Sequence, residues 1–164
     1  MRVRVVVADQ TEASFFDAMS YGKPLRPAGE LRNPSGRLLD REFTSDRPGR
    51  TAARSLGSGR GGASHAVAPE RTPRKRAADL FARRIAAQLD RERRLRSFDR
   101  LVIIAGPAFL GHLRAALPAA LRQCVVDTVI KDLAPVGATD LRRYLRRESF
   151  TGPLGFEHSR TAAT

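Results

Sequence analysis

Arg47, Arg50, Arg54, Arg60, Arg71, Arg74, Lys75 and Arg76 are spread along residues 45–76, around the run Gly57-Ser58-Gly59-Arg60-Gly61-Gly62-Ala63-Ser64. These residue types suit a polyanion. Gly59, Gly61 and Gly62 let backbone N–H groups approach an anion closely, and the arginines supply planar forks that match phosphate oxygens. Loops longer than about 12–15 residues are uncommon in compact domains unless they are functional or disordered. Gripping a phosphodiester backbone is the functional reading, a solvated loop is the plain one, and composition does not choose between them.

The whole chain carries the same sign. Lys and Arg number 30 against 17 Asp and Glu in 164 residues, a formal charge of +13 made almost wholly by arginine. RNA, DNA or an anionic membrane would each answer such a charge. Richness in Ala, Gly and Arg also follows from a GC-rich genome, so the charge predicts affinity for polyanions rather than specificity. The length suits one domain with a real core. Cys124 is the lone cysteine, which excludes an internal disulfide, and it sits in the apolar run Cys124-Val125-Val126, where a buried small side chain is expected. No Cys/His spacing fits zinc, since the histidines fall at 65, 112 and 158. Val5-Val6-Val7-Ala8 is too short for a signal-peptide core or a transmembrane helix, and a cytoplasmic protein is expected.

Other chemistry has weaker grounds. A metal-dependent nuclease needs converging carboxylates. Asp9, at the end of the first expected strand, reads as a turn residue, and Asp79 and Asp90 fall on the outer face of a helix. His65 and His112 have no evident carboxylate or nucleophile in sequence, and His112 reads as a packed or half-exposed helix residue. No catalytic residue, metal site or cofactor is expected.

The elements that must position these residues follow from period and punctuation. Residues 2–8 turn continuously apolar and predict a central strand, and residues 12–19 predict its hairpin partner. Pro24, Pro27, Gly29, Asn33, Pro34 and Gly36 mark a connecting loop, after which residues 37–43 predict a third strand. Past the insert the period becomes helical: Ala77, Phe81, Ile85 and Leu89, joined by Leu80, form one face, with Asp79/Arg83 and Asp90/Arg94 as i,i+4 pairs on the other. Residues 101–105 predict a buried parallel strand ending at Gly106-Pro107. Next come a helix over 108–117, a short helical turn after Pro118, a strand over 125–130 and a last helix capped by Thr139 and carrying Leu141, Tyr144 and Leu145. The order βββ-α-β-α-β-α predicts a single α/β domain over residues 1–149, a mixed five-stranded sheet flanked by helices of the ribonuclease H-like kind. Residues 150–164 are expected to be a flexible tail.

The segment Arg37-Leu-Leu-Asp-Arg-Glu-Phe-Thr-Ser-Asp-Arg-Pro-Gly-Arg50, the stretch 98–114 and the run Val125-Val-Asp-Thr-Val-Ile-Lys-Asp-Leu133 resemble the bacterial host attachment protein family, whose members are named as proteins required for attachment to host cells. The polar residues Asp46, Lys131 and Asp132 belong to the most specific of these motifs. That family is similar to the middle domain of archaeal and eukaryotic peptide-chain release factors, where a basic loop after the third strand carries a Gly-Gly-Gln tip to the peptidyl-transferase centre. Gly61-Gly62 resembles the tip, but Ala63 stands where glutamine should. A methyl group neither donates nor accepts a hydrogen bond, so peptidyl-tRNA hydrolysis is not expected. The resemblance implies a non-enzymatic RNA- or ribosome-associated protein. An envelope or attachment factor meeting anionic glycans or lipids is the alternative, and a metal-dependent hydrolase a second.

Overall fold

The computed structural model describes residues 1–37, 72–132, 138–151 and 159–161. A mixed sheet is formed by β1 (Val3–Ala8), β2 (Glu12–Ala18), β3 (Arg26–Arg32), β4 (Arg100–Ala105), β5 (Val125–Ile130) and β6 (Ser159–Thr161) in the order β3-β2-β1-β4-β5-β6. The first three strands are antiparallel neighbours, while β1, β4, β5 and β6 run parallel. The expected mixed sheet is therefore present, with its third strand elsewhere than expected and a short sixth strand at the β5 edge.

Side-chain alternation divides the core in two. Val6, Ala8, Phe15, Leu101 and Ile103 face α1 (Pro73–Arg94), α2 (Pro107–Ala116) and α3 (Ala119–Cys124). Val3, Val5, Val7, Val102 and Ile104 face the other way. There they meet Leu141 of α4 (Ala138–Leu141), Tyr144 of the following 3-10 turn (Arg142–Tyr144), Leu145, and Phe150 of α5 (Glu148–Thr151). Burial on both faces is why the parallel strands read as continuous apolar runs.

Three expectations need correction. The third strand is Arg26–Arg32, in the stretch read as a loop, and Arg37 closes a 3-10 turn instead. Proline is tolerated there because β3 is an edge strand, exposed along nearly its whole length; Pro27, Gly29 at φ 145° and a register shift opposite Phe15/Phe16 blunt that edge. Residues 38–43 of the expected strand lie outside the described residues. Cys124 ends α3 rather than lying in a strand. It is half-buried with Sγ 3.3 Å from the Ala120 carbonyl, and desolvation pushes its thiol pKa up. Phe150, read as the start of a frayed tail, is buried against Tyr21, and Ser149 donates to Asp127 of β5 at 3.3 Å.

Thr128 of β5 is fully buried, and its hydroxyl finds no hydrogen-bond partner among the described residues. A stranded buried hydroxyl costs about 1–3 kcal/mol. Thr128→Val is therefore expected to stabilise the protein by about 1 kcal/mol, read as a rise in the urea midpoint at constant slope; a drop would mean that the hydroxyl is bonded.

Candidate functional site

The carboxyl ends of β1 and β4 meet where the chain changes direction, since β1 leads to β2 on one side while β4 leads on to β5 on the other. Crevices at such switch points are where open α/β sheets commonly bind ligands. The β1–β2 turn is built by Asp9. Its Oδ1 accepts from the Thr11 N–H at 2.6 Å, the Thr11 hydroxyl at 2.7 Å and the Glu12 N–H at 2.8 Å, the turn role read from sequence. Asn33 clamps the turn from beneath, donating to the Gln10 carbonyl at 2.8 Å.

Helix α1 begins beside this turn. Thr72 caps it, its hydroxyl accepting from the Lys75 N–H at 3.4 Å, and Pro73 opens it, the position where a missing N–H costs nothing. Arg74 Nε donates to Gln10 Oε1 at 3.3 Å and ties the first turn of α1 to the end of β1. Pro73, Arg74, Lys75 and Arg76 are all exposed, and the first turn holds no acid. The opposite face packs Ala78, Phe81, Ala82, Ile85, Ala86 and Leu89 into the core. Leu80, assigned to that face from sequence, is 61 % exposed, because it falls outside the i, i+3/i+4 stripe that meets the sheet.

Of the sequence candidates, Arg74, Lys75 and Arg76 are thus brought to the carboxyl edge. Arg47, Arg50, Arg54, Gly59, Arg60, Gly61, Gly62, Arg71 and Asp46 lie outside the described residues. Lys131 and Asp132 follow β5 at the same edge. The Lys131 N–H extends the ladder to the Ala105 carbonyl at 3.0 Å, and its ammonium stands 5.2 Å from the centre of the Tyr144 ring. Arg143 covers the same ring at 5.1 Å. The hydrogen bond from Lys131, aided by the Arg143 charge, holds the Tyr144 phenol below its ordinary pKa. Asp132 lies against Gly106, the residue before α2, where a carboxylate meets the positive end of the helix dipole.

Two close approaches require glycine to different degrees. A Cβ on Gly36 would stand 1.9 Å from the backbone carbonyl oxygen of Gln10, whereas one on Gly106 would stand 1.6 Å from the Asp132 carboxylate, an exposed side chain that can swing aside. Gly36→Ala is expected to cost about 1–3 kcal/mol and Gly106→Ala under about 1, measured by chemical unfolding. The reverse ranking would show that the β1–β2 turn is not pinned.

Sequence reading missed the partner of His112. Its Nδ1 lies 2.6 Å from Asp79 Oδ1, across the α1–α2 interface, so Asp79 is not simply an outward-facing residue. Their 33-residue separation hides the pair from any local pattern. Asp90 does pair with Arg94 as expected, at 2.7 Å, and with Arg93 at 3.0 Å. The hydrogen bond from Arg93, joined by Arg94, lowers the Asp90 pKa. Arg84 stacks on Phe81 at 5.7 Å and donates to the Arg32 carbonyl at 3.2 Å. Among the described residues no three His, Cys, Asp or Glu side chains converge as a metal site would require, and no helix is long and apolar enough to cross a membrane.

The molecule is thus an α/β protein with a mixed, helix-flanked sheet and a cationic helix start at its switch point. The family model described as protein required for attachment to host cells matches residues 4–145, and the chain belongs to that family. No curated protein matches it.

Proposed function

We propose that this host attachment family protein is a non-catalytic cytoplasmic factor that binds RNA, on or off the ribosome, through cations at the start of α1 and in the segment before it. One observation carries the reading. Arg74, Lys75 and Arg76 are exposed in the first turn of a helix that holds no acid there. The helix dipole already places positive potential at that end, so each cation is disfavoured by roughly 0.3–1 kcal/mol. A local conflict of this kind is relieved by a bound polyanion. The chain's +13 charge acts in the same direction.

The sheet order β3-β2-β1-β4-β5, antiparallel on one side of β1 and parallel on the other, supports the ribonuclease H-like and release-factor-like kinship on which the ribosomal part of this reading rests. Ala63 in place of the tip glutamine supports a binding role without peptidyl-tRNA hydrolysis.

The test is the salt dependence of binding to a single-stranded RNA. Neutralising Arg71, Arg74, Lys75 and Arg76 together is expected to flatten the slope of log K against log salt by about 0.7 for each phosphate that the variant no longer neutralises. An unchanged slope would refute the assignment. Co-sedimentation with ribosomes, abolished in the same variant, would place the RNA in the ribosome.

A further inference from the structure

At the amino end of β1, opposite the Arg74 edge, the β2–β3 turn and the segment 142–150 border an open cleft with a cavity volume of about 370 Å³. Its size falls in the usual range for small-molecule sites, roughly 300–1,000 Å³. The turn Ser20-Tyr21-Gly22-Lys23 is closed by the Lys23 N–H donating to the Ser20 carbonyl at 3.3 Å. Gly22 takes φ 80°, which lets the turn place Tyr21 at its corner. Arg142 donates to the Gly22 carbonyl and so braces the rim.

The lining is unusual in three respects. Lys23 and Arg142 supply positive charge, Arg143 also lines the wall while its guanidinium covers the Tyr144 ring, no acid lines the cavity, and none of the three pairs with a carboxylate among the described residues. Tyr21 is 52 % exposed, although a tyrosine gains by burial, and it is propped edge-to-face on Phe150 with ring centres 6.2 Å apart. Leu145 and Phe150 give an apolar floor. An aromatic ring held open to solvent among cations is the composition of a base-stacking platform with a phosphate clamp beside it.

We infer that this cavity binds a nucleoside phosphate, its base against Tyr21 and its phosphate between Lys23 and the arginines. The site shares no residue with the α1 cations, so it stands or falls independently of them. The same chemistry is offered by a free mononucleotide and by the 5′-phosphorylated end of an RNA chain.

Isothermal titration of the full chain with AMP, adenosine and a 5′-phosphorylated oligoribonucleotide tests it. AMP or the oligonucleotide should bind saturably, and adenosine at least about tenfold more weakly. Tyr21→Ala and Lys23→Ala should each weaken binding at least about fivefold. Both side chains are exposed, so the fold should persist, with a small loss for Tyr21→Ala where its ring meets Phe150, and a melt confirms that any loss of binding is not unfolding. Tighter binding of the oligonucleotide than of AMP, still sensitive to Tyr21→Ala, makes the RNA end the source, and the opposite order makes it the free nucleotide. Either result supports the site. The absence of saturable binding by both, equal binding of AMP and adenosine, or binding indifferent to both substitutions overturns it.

Discussion

Arg4→Ala should lower the stability of the fold by about 3 kcal/mol, near the lower end of the range for breaking a buried ion pair. Arg4 is 4 % exposed at the second position of β1. Its Nε donates to Asp17 of β2 at 2.8 Å, its Nη1 to Glu92 of α1, and its guanidinium stands 5.5 Å from the centre of the Phe98 ring. Glu92 also accepts from Gln88 at 2.5 Å. Removing the cation leaves two carboxylates, 29 % and 14 % exposed, without the charge that offsets their desolvation. Replacing all three charged groups, as in Arg4→Met with Asp17→Val and Glu92→Leu, should recover most of the loss because no buried charge remains. Urea unfolding reads both. A loss below about 1 kcal/mol for Arg4→Ala would mean that the trio behaves like a surface pair.

Phe81→Ala is expected to cost about 3–5 kcal/mol, the usual range for deleting a buried aromatic. Phe81 is 1 % exposed, lies 5.9 Å from the Phe109 ring of α2, and carries Arg84 on its outer side. It is the point at which α1 grips both α2 and the sheet. Because α1 presents Arg74, Lys75 and Arg76, the RNA binding proposed above should change little under conditions where the variant remains folded, whereas the urea midpoint should fall steeply. A midpoint shift equivalent to less than about 1.5 kcal/mol would show that the interface collapses around the missing ring.

The parts legible in the sequence were those written in local periodicity. The apolar runs of β1, β4 and β5 and the four-residue recurrence of Phe81, Ile85 and Leu89 needed no knowledge of partners. β3 was misplaced because Pro27 and Gly29 carry the residue types of a loop, and only its edge position makes them compatible with a strand. The buried Arg4 could not be read, since Asp17 and Glu92 lie 13 and 88 residues away. The same limit hid the cavity at the β2–β3 turn, whose two walls are joined by a hydrogen bond spanning 120 residues. Of the site, the cations of the first turn of α1 were legible as charge, whereas their attachment to Gln10 and the stacking of Lys131 on Tyr144 depend on topology.

The parallel pairing of β1 with β4 also sets an order of events during synthesis. β1 is made before β2 and can pair with it as soon as β2 follows, but its other edge waits for a strand whose entry point, marked by the bond from the Arg2 N–H to Asp99, is 97 residues further on. At roughly 5–20 residues per second that wait lasts about 5–20 s. Throughout it the Val3-to-Val7 edge is an open, strongly apolar template for other nascent chains. The chain's topology, rather than its final stability, thus sets how long that half-sheet edge stays open.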